Sequence, residues 1–126
     1  MIVGTRISKI EATRGKDSQG KGLKVEINTT DVGGKGEDLE VKYVFSAEYL
    51  DGIGKITIEG ELLDRVEKKV ADEVRKMWKD KKDLPEDYKL SVINSISYIA
   101  GTEGVLIAKV LRLAPPIAPP RISRKA

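Results

Sequence analysis

The stretch Leu39–Leu50, LEVKYVFSAEYL, decides how this chain folds. Leu39, Val41, Tyr43, Phe45, Ala47 and Tyr49 fall on every second position and share one face. Glu40, Lys42, Ser46 and Glu48 take the other face, joined there by Val44 and Leu50. A period of two sustained over this length belongs to a β-strand with one buried and one wet side. Such a strand needs partners, and its flanks supply them. LKVEINT (23–29) alternates cleanly, with Leu23, Val25 and Ile27 on one face. GKITIEGEL (54–62) turns Ile56, Ile58 and Leu62 inward. Ile7 to Thr13 is mixed, and Ile7 and Ile10 are out of step, which predicts a β-bulge. Gly15–Gly22, Asp31–Asp38 and Asp51–Gly54 are Gly- and Asp-rich turns. Strands therefore fill about residues 5–63, and their short connections predict an antiparallel meander of four.

The second half carries a different period. Val66, Val70, Val74, Met77 and Trp78 recur at helical spacing, so a helix is expected over about 65–80. Asp64 and Glu67 have the spacing of a capping box at its start. KDKKD (79–83) closes it, and Asp83 before Leu84-Pro85 opens a second helix over about 85–112. Only Gly101 and Gly104 weaken that helix, and a kink is expected there. At 1.5 Å per residue it is roughly 42 Å long, against roughly 36 Å for the width of a compact chain of this size. Val92, Ile93, Ile96, Ile99, Ala100, Val105, Leu106, Ile107, Val110 and Leu111 spread over more of its circumference than one sheet face covers. A helix apolar on more than one side is buried on more than one side. A homodimer or tetramer with Ile96, Ile99, Leu106 and Val110 at the interface is therefore expected.

Composition narrows the chemistry. The chain has 126 residues, 40% hydrophobic and 34% charged, with a net charge of +3, the profile of one ordinary domain with a core. No apolar run reaches the ~20 residues of a membrane span, and the amino terminus lacks a secretion-signal profile. No membrane association and a cytoplasmic location are the expectation. With no Cys and no His, there is no thiol nucleophile, no thiolate metal site and no imidazole base or ligand. No enzyme, no cofactor and no metal is expected. Abundant Lys, Arg and Glu without Cys hint at a heat-adapted source.

Four motifs compete with this reading, and each is weak. GKDSQGKG (15–22) reads G-x-x-x-x-G-K, but Gly22 replaces the Mg²⁺-binding hydroxyl of a phosphate loop, and a strand follows where a helix should. PIAPPR (116–121) matches P-x-x-P-x-R, a ligand pattern of SH3 domains; as a rigid strap it lies across an apolar surface instead. Arg6, Lys9, Arg14, Lys16, Lys21, Lys24 and the tail RISRKA form a basic fringe that could hold nucleic acid. Only 5% of residues are aromatic, however, and Tyr43, Phe45 and Tyr49 fall on the core face, so a stacking platform is missing. Glu59 and Glu61 point the same way on a strand, as an acid/base pair would, but on its polar face.

The order of elements resembles the SecB-like family, the bacterial protein-export chaperone and its shorter relatives, archaeal ones included. The likeness rests on four strands, a helix, a polar link, a long helix and then LAPPIAPPRI (113–122). YLDGIGKITIEGEL (49–62), the Trp-ending helix and LPEDY (84–88) add to it. The resemblance implies an α+β fold, with a four-stranded antiparallel sheet followed by two helices, the second long. Residues 1–126 are then a single SecB-like domain with a Pro-rich strap over 113–126. It also implies dimers or tetramers and a passive holdase that needs no ATP and holds unfolded or extended polypeptides in apolar grooves. Val44, Leu50, Ile53, Trp78, Leu113 and Ile117 are the candidates to line such a groove. The bacterial chaperone is strongly acidic and this chain is not, which leaves the protein-transport role of that family open. An adaptor for one dedicated protein partner and a nucleic-acid-binding module are the alternatives.

Overall fold

The structure is a computed structural model in which residues 1–15 and 22–116 are described. Four strands come first: β1 (Ile2–Arg14), β2 (Leu23–Gly33), β3 (Asp38–Tyr49) and β4 (Gly54–Arg65). Two helices follow, α1 (Lys68–Lys81) and α2 (Glu86–Leu111). The strands form one antiparallel sheet, and both helices lie on the same face of it.

The sheet order is β1-β4-β3-β2. Strands β2, β3 and β4 run as the expected meander, but β1 pairs with β4 and not with β2, so the four together have a Greek-key order. Tight hairpins have loops of about two to five residues. Eight residues separate β1 from β2, enough chain to reach across three strand spacings of about 5 Å each. The anticipated bulge is present, between Ile7 and Lys9.

This order makes β3 and β4 central and leaves β1 and β2 as edges. Leu39, Val41, Tyr43, Phe45, Ala47 and Tyr49 are all buried, as are Ile56, Ile58 and Leu62 opposite them. Tyr43 pairs with Gly60. A Cβ at that glycine would sit 2.6 Å from the Tyr43 hydroxyl and 2.6 Å from the Arg6 carbonyl, so Gly60 is what lets the ring cross the strand.

Helix α1 buries Ala71, Val74 and Trp78, and α2 buries Tyr88, Val92, Ile96, Ala100, Gly104 and Ala108 at intervals of four. The capping box does not form. Helix α1 starts at Lys68 after Glu67, which makes no side-chain cap, and Asp64 is still in β4. Its carboxylate accepts a bond from the Tyr88 hydroxyl (2.9 Å) and faces the Met1 ammonium (2.8 Å), so it is not available to helical N–H groups. Nor do the glycines break α2, which is continuous through both. Gly104 instead makes room: a Cβ there would lie 2.9 Å from Pro116.

Helix α2 ends in a Schellman turn. Arg112 takes φ 55°, its N–H reaches the Lys109 carbonyl (3.2 Å), and the Leu113 N–H reaches that of Ala108 (2.8 Å). Arg14 adds guanidinium bonds to the carbonyls of Leu111 (3.1 Å) and Arg112 (2.7 Å). The chain then doubles back. The Tyr49 hydroxyl donates to the Ala114 carbonyl, Leu113 packs beside Gly54, and Pro116 packs at Gly104 near Phe45.

Candidate functional site

The sheet has one covered and one open face, and the open face is mostly charged, with Val44 and Leu63 as apolar exceptions. Arg6 pairs with Glu61 (2.5 Å), Lys9 with Glu11 (2.8 Å) and Glu59 (4.0 Å), and Lys24 with Glu26 (2.9 Å). Lys9 is held above its ordinary range and Glu11 below its own by the hydrogen bond between them. The described part of the basic fringe is thus largely matched by acid, cation against carboxylate. Glu59 and Glu61 are engaged in these pairs. Among the described residues no three of His, Cys, Asp and Glu come together as a metal site.

The unusual surface lies on α2. From Leu90 to Thr102 this helix contains no charged residue. Two of its hydroxyls turn back on their own backbone, Ser95 to the Ser91 carbonyl (3.0 Å) and Thr102 to the Tyr98 carbonyl (2.6 Å). Its outward face mixes polar positions, Ser91, Asn94, Thr102 and Lys109 among them, with three large apolar ones. Tyr98 is 78% exposed, Leu106 58% and Val110 82%, and at spacings of eight and four these three share a side. Ile93, Ile99, Val105 and Ile107 flank them half-buried. By length and composition α2 could cross a membrane. Its inner stripe on the sheet accounts for one side of that apolar character, and this outward face accounts for the other.

Leu106 and Val110, two of the four interface candidates, belong to this outer face. Ile99 lies beside it, half-buried. Ile96 does not belong to it: it is fully buried in the sheet-facing stripe, because it continues the Val92–Ala100 interval of four. Tyr98 is the residue that the sequence reading missed. Its spacing to Leu106 and Val110 was the available signal.

The groove candidates do not form one patch. Val44 is half-buried on the open face, opposite Glu59 and Asn28. Leu50 is 44% exposed on the short 3-10 turn Leu50–Gly52. Ile53, Trp78 and Leu113 are core residues, not groove walls. The turn has positive φ at Asp51 (64°) and Gly52 (71°) and sends Leu50 outward and Ile53 inward. Trp78 is covered by the Lys82 ammonium, 5.6 Å from the ring centre. Leu113 is enclosed as the chain doubles back over Gly54. Beside Leu50 is a cleft of about 460 Å³ whose walls include Thr13, Arg14, Glu48, Tyr49 and Lys55. Ile117, most of GKDSQGKG and most of the Pro-rich strap lie outside the described residues.

Comparison with known proteins follows the fold and not the sequence. No protein-family model matches the chain, and no curated protein matches it by sequence. A solved structure does match: a SecB-like chaperone of Mycobacterium tuberculosis in complex with a ChAD peptide from the HigA1 antitoxin. The two superpose with a TM-score of 0.60 at 13% identity, over 100% of this chain and 92% of that one. The chain therefore has the fold of that SecB-like chaperone, a four-stranded antiparallel sheet followed by two helices, the second long.

Proposed function

We propose that this protein is a passive, ATP-independent chaperone that holds extended or unfolded polypeptide on apolar surface, residues 1–126 acting as one SecB-like unit. The observation that carries the reading is the outward face of α2. Tyr98, Leu106 and Val110 stand in solvent on this helix, Tyr98 within its charge-free segment and the other two next to Glu103 and Lys109. Exposed apolar surface of this kind marks an interaction site. The likeness to a chaperone solved with a bound peptide supports a polypeptide as the partner.

Two occupants share this apolar surface in the proposal. A second copy of the chain packs against the α2 face, since apolar area of this extent gains about 25 cal/mol per Å² when covered. Clients compete for the same face, and Leu50, exposed beside its cleft, offers them a separate apolar contact. An adaptor for one dedicated peptide uses the same surface and differs only in selectivity. The test is capture of a set of unrelated unfolded polypeptides in the absence of nucleotide. Binding to many of them supports a general holdase, binding to one alone supports the adaptor, and binding to none refutes both. Nucleic-acid binding is the lesser reading, because Arg6, Lys9 and Lys24 are each matched by a carboxylate.

A further inference from the structure

Strand β2 is an edge of the sheet, and its outer row of N–H and C=O groups has no strand partner among the described residues. Natural edges are blunted by proline, by bulges or by charges turned inward. From Leu23 to Thr29 this edge has none of these. Its residues keep unbroken register with β3, from the Leu23–Tyr49 pair to the Thr29–Tyr43 pair. Its lysine, Lys24, is bonded to Glu26 (2.9 Å) on the open face. Edge β1 differs, with register shifts at Ile2/Gly4 and Ile7/Lys9. Burial also stops short at β2. Tyr49, Ala47 and Phe45 are buried, whereas Leu23, Val25 and Ile27, their partners in the same row, are only half-buried. The row ends where a further strand would complete it.

The side chains of β2 are self-complementary about Val25. With two copies antiparallel and a two-fold axis through the sheet at Val25, Leu23 faces Ile27 across the junction and Val25 faces its own copy, all on the covered side. Lys24 faces Glu26, twice by symmetry, on the open side. Centring the axis on Lys24 or on Glu26 sets like charges opposite each other. Centring it between residues sets apolar side chains beside charged ones. Any extended chain satisfies the backbone of an edge; this order of side chains selects a second copy. We propose that β2 pairs antiparallel with β2 of a second copy, centred on Val25, and joins two four-stranded sheets into one continuous sheet. This surface is separate from the outer face of α2, so the inference does not rest on the proposed function.

The chain has no Cys, so single cysteines report this junction. Each is made in Leu106→Glu, Val110→Glu protein, in which association through α2 is removed. Val25→Cys should give a disulfide-linked dimer under a mild oxidant on non-reducing electrophoresis, because facing residues have Cα atoms about 4.5–5.5 Å apart, within disulfide range. Lys24→Cys should give at least about tenfold less, because its own copy lies on the diagonal, about 7–8 Å away. Equal yields, or no dimer from either, overturn the proposal. If Val25→Cys does not fold, charge decides. In cysteine-free protein of the same background, Lys24→Glu should weaken dimerisation in sedimentation equilibrium on the order of tenfold, since two facing pairs turn repulsive. Adding Glu26→Lys should restore it. Both side chains are exposed, so neither change threatens the fold. Loss in both proteins, or in neither, overturns the proposal. A monomer whose β2 amides gain protection from hydrogen exchange only when an unfolded polypeptide is added assigns the edge to a client, and overturns it as well.

Discussion

Replacing Tyr43 by Phe should stabilise this protein, against the usual result for a buried tyrosine. The residue is 1% exposed and its ring crosses Gly60 in the middle of the sheet. Among the described residues its hydroxyl has no hydrogen-bond partner, and burial holds the phenol above its ordinary range. An unpartnered buried hydroxyl costs about 1–3 kcal/mol in lost hydration. Removing the oxygen leaves a void of roughly 10–15 Å³, worth about 0.3 kcal/mol at ~24 cal/mol per Å³. The net gain is therefore about 1 kcal/mol or more. Urea unfolding measures it as a higher midpoint at an unchanged m-value. The reasoning is refuted if Tyr43→Phe lowers the midpoint by the ~1 kcal/mol typical of a lost hydrogen bond, because the hydroxyl would then have a partner. Gly60→Ala probes the same contact with opposite sign. Its Cβ meets the Tyr43 hydroxyl and the Arg6 carbonyl, both at 2.6 Å, and overpacking on two sides should cost about 2–3 kcal/mol.

Charge on the outer α2 face should separate association from folding. Leu106→Glu with Val110→Glu should dissociate the proposed oligomer in sedimentation equilibrium while moving monomer stability by no more than ~0.5 kcal/mol, since both sites are exposed; a wild-type mass that is monomeric at every concentration contradicts the interface. Leu50→Glu should weaken client capture in a pull-down with the fold intact by circular dichroism, and unchanged capture removes Leu50 from the binding surface. Ile53→Glu is not an equivalent test, because Ile53 is 4% exposed and a charge there should unfold the chain. Asp83 accepts bonds from the Leu84 N–H (2.8 Å) and Lys89 (3.1 Å), and the first of these chiefly holds its carboxyl below the ordinary range. Its folded value lies below its unfolded one, so its contribution is present at neutral pH and fades as pH falls below about 4. Asp83→Asn should therefore flatten the acid limb of the stability curve, and an identical limb in both proteins argues against the bond.

Much of the fold was legible because period-two alternation and helical spacing report burial directly. The Leu39–Tyr49 face is the core face in the structure, and the Ile7/Ile10 break in alternation is a real bulge. Strand order was not legible. Alternation says which side of β1 is wet, not which neighbour it pairs with, and an eight-residue connection allows either edge. The capping box failed for a similar reason. Asp64 and Glu67 have the right spacing, but tertiary contacts with Met1 and Tyr88 claim Asp64 first. The site was readable only in part. Helical spacing revealed an excess of apolar surface on α2 without separating Ile96 in the core from Leu106 and Val110 outside it. The burial of Ile53, Trp78 and Leu113 depends on a positive-φ turn, a lysine over an indole and a chain reversal at Arg112. None of these has a period.

The proposed holding of unfolded polypeptide on the apolar surface of this fold can be read in bulk solution. The direct measurement is light scattering from a chemically denatured protein diluted into buffer with increasing amounts of this chain, without nucleotide, at low and at high salt. Apolar holding predicts suppression of aggregation that persists at high salt, since burial of apolar surface is not screened. No suppression at any ratio contradicts the claim, and suppression that vanishes with salt assigns the binding to charge instead.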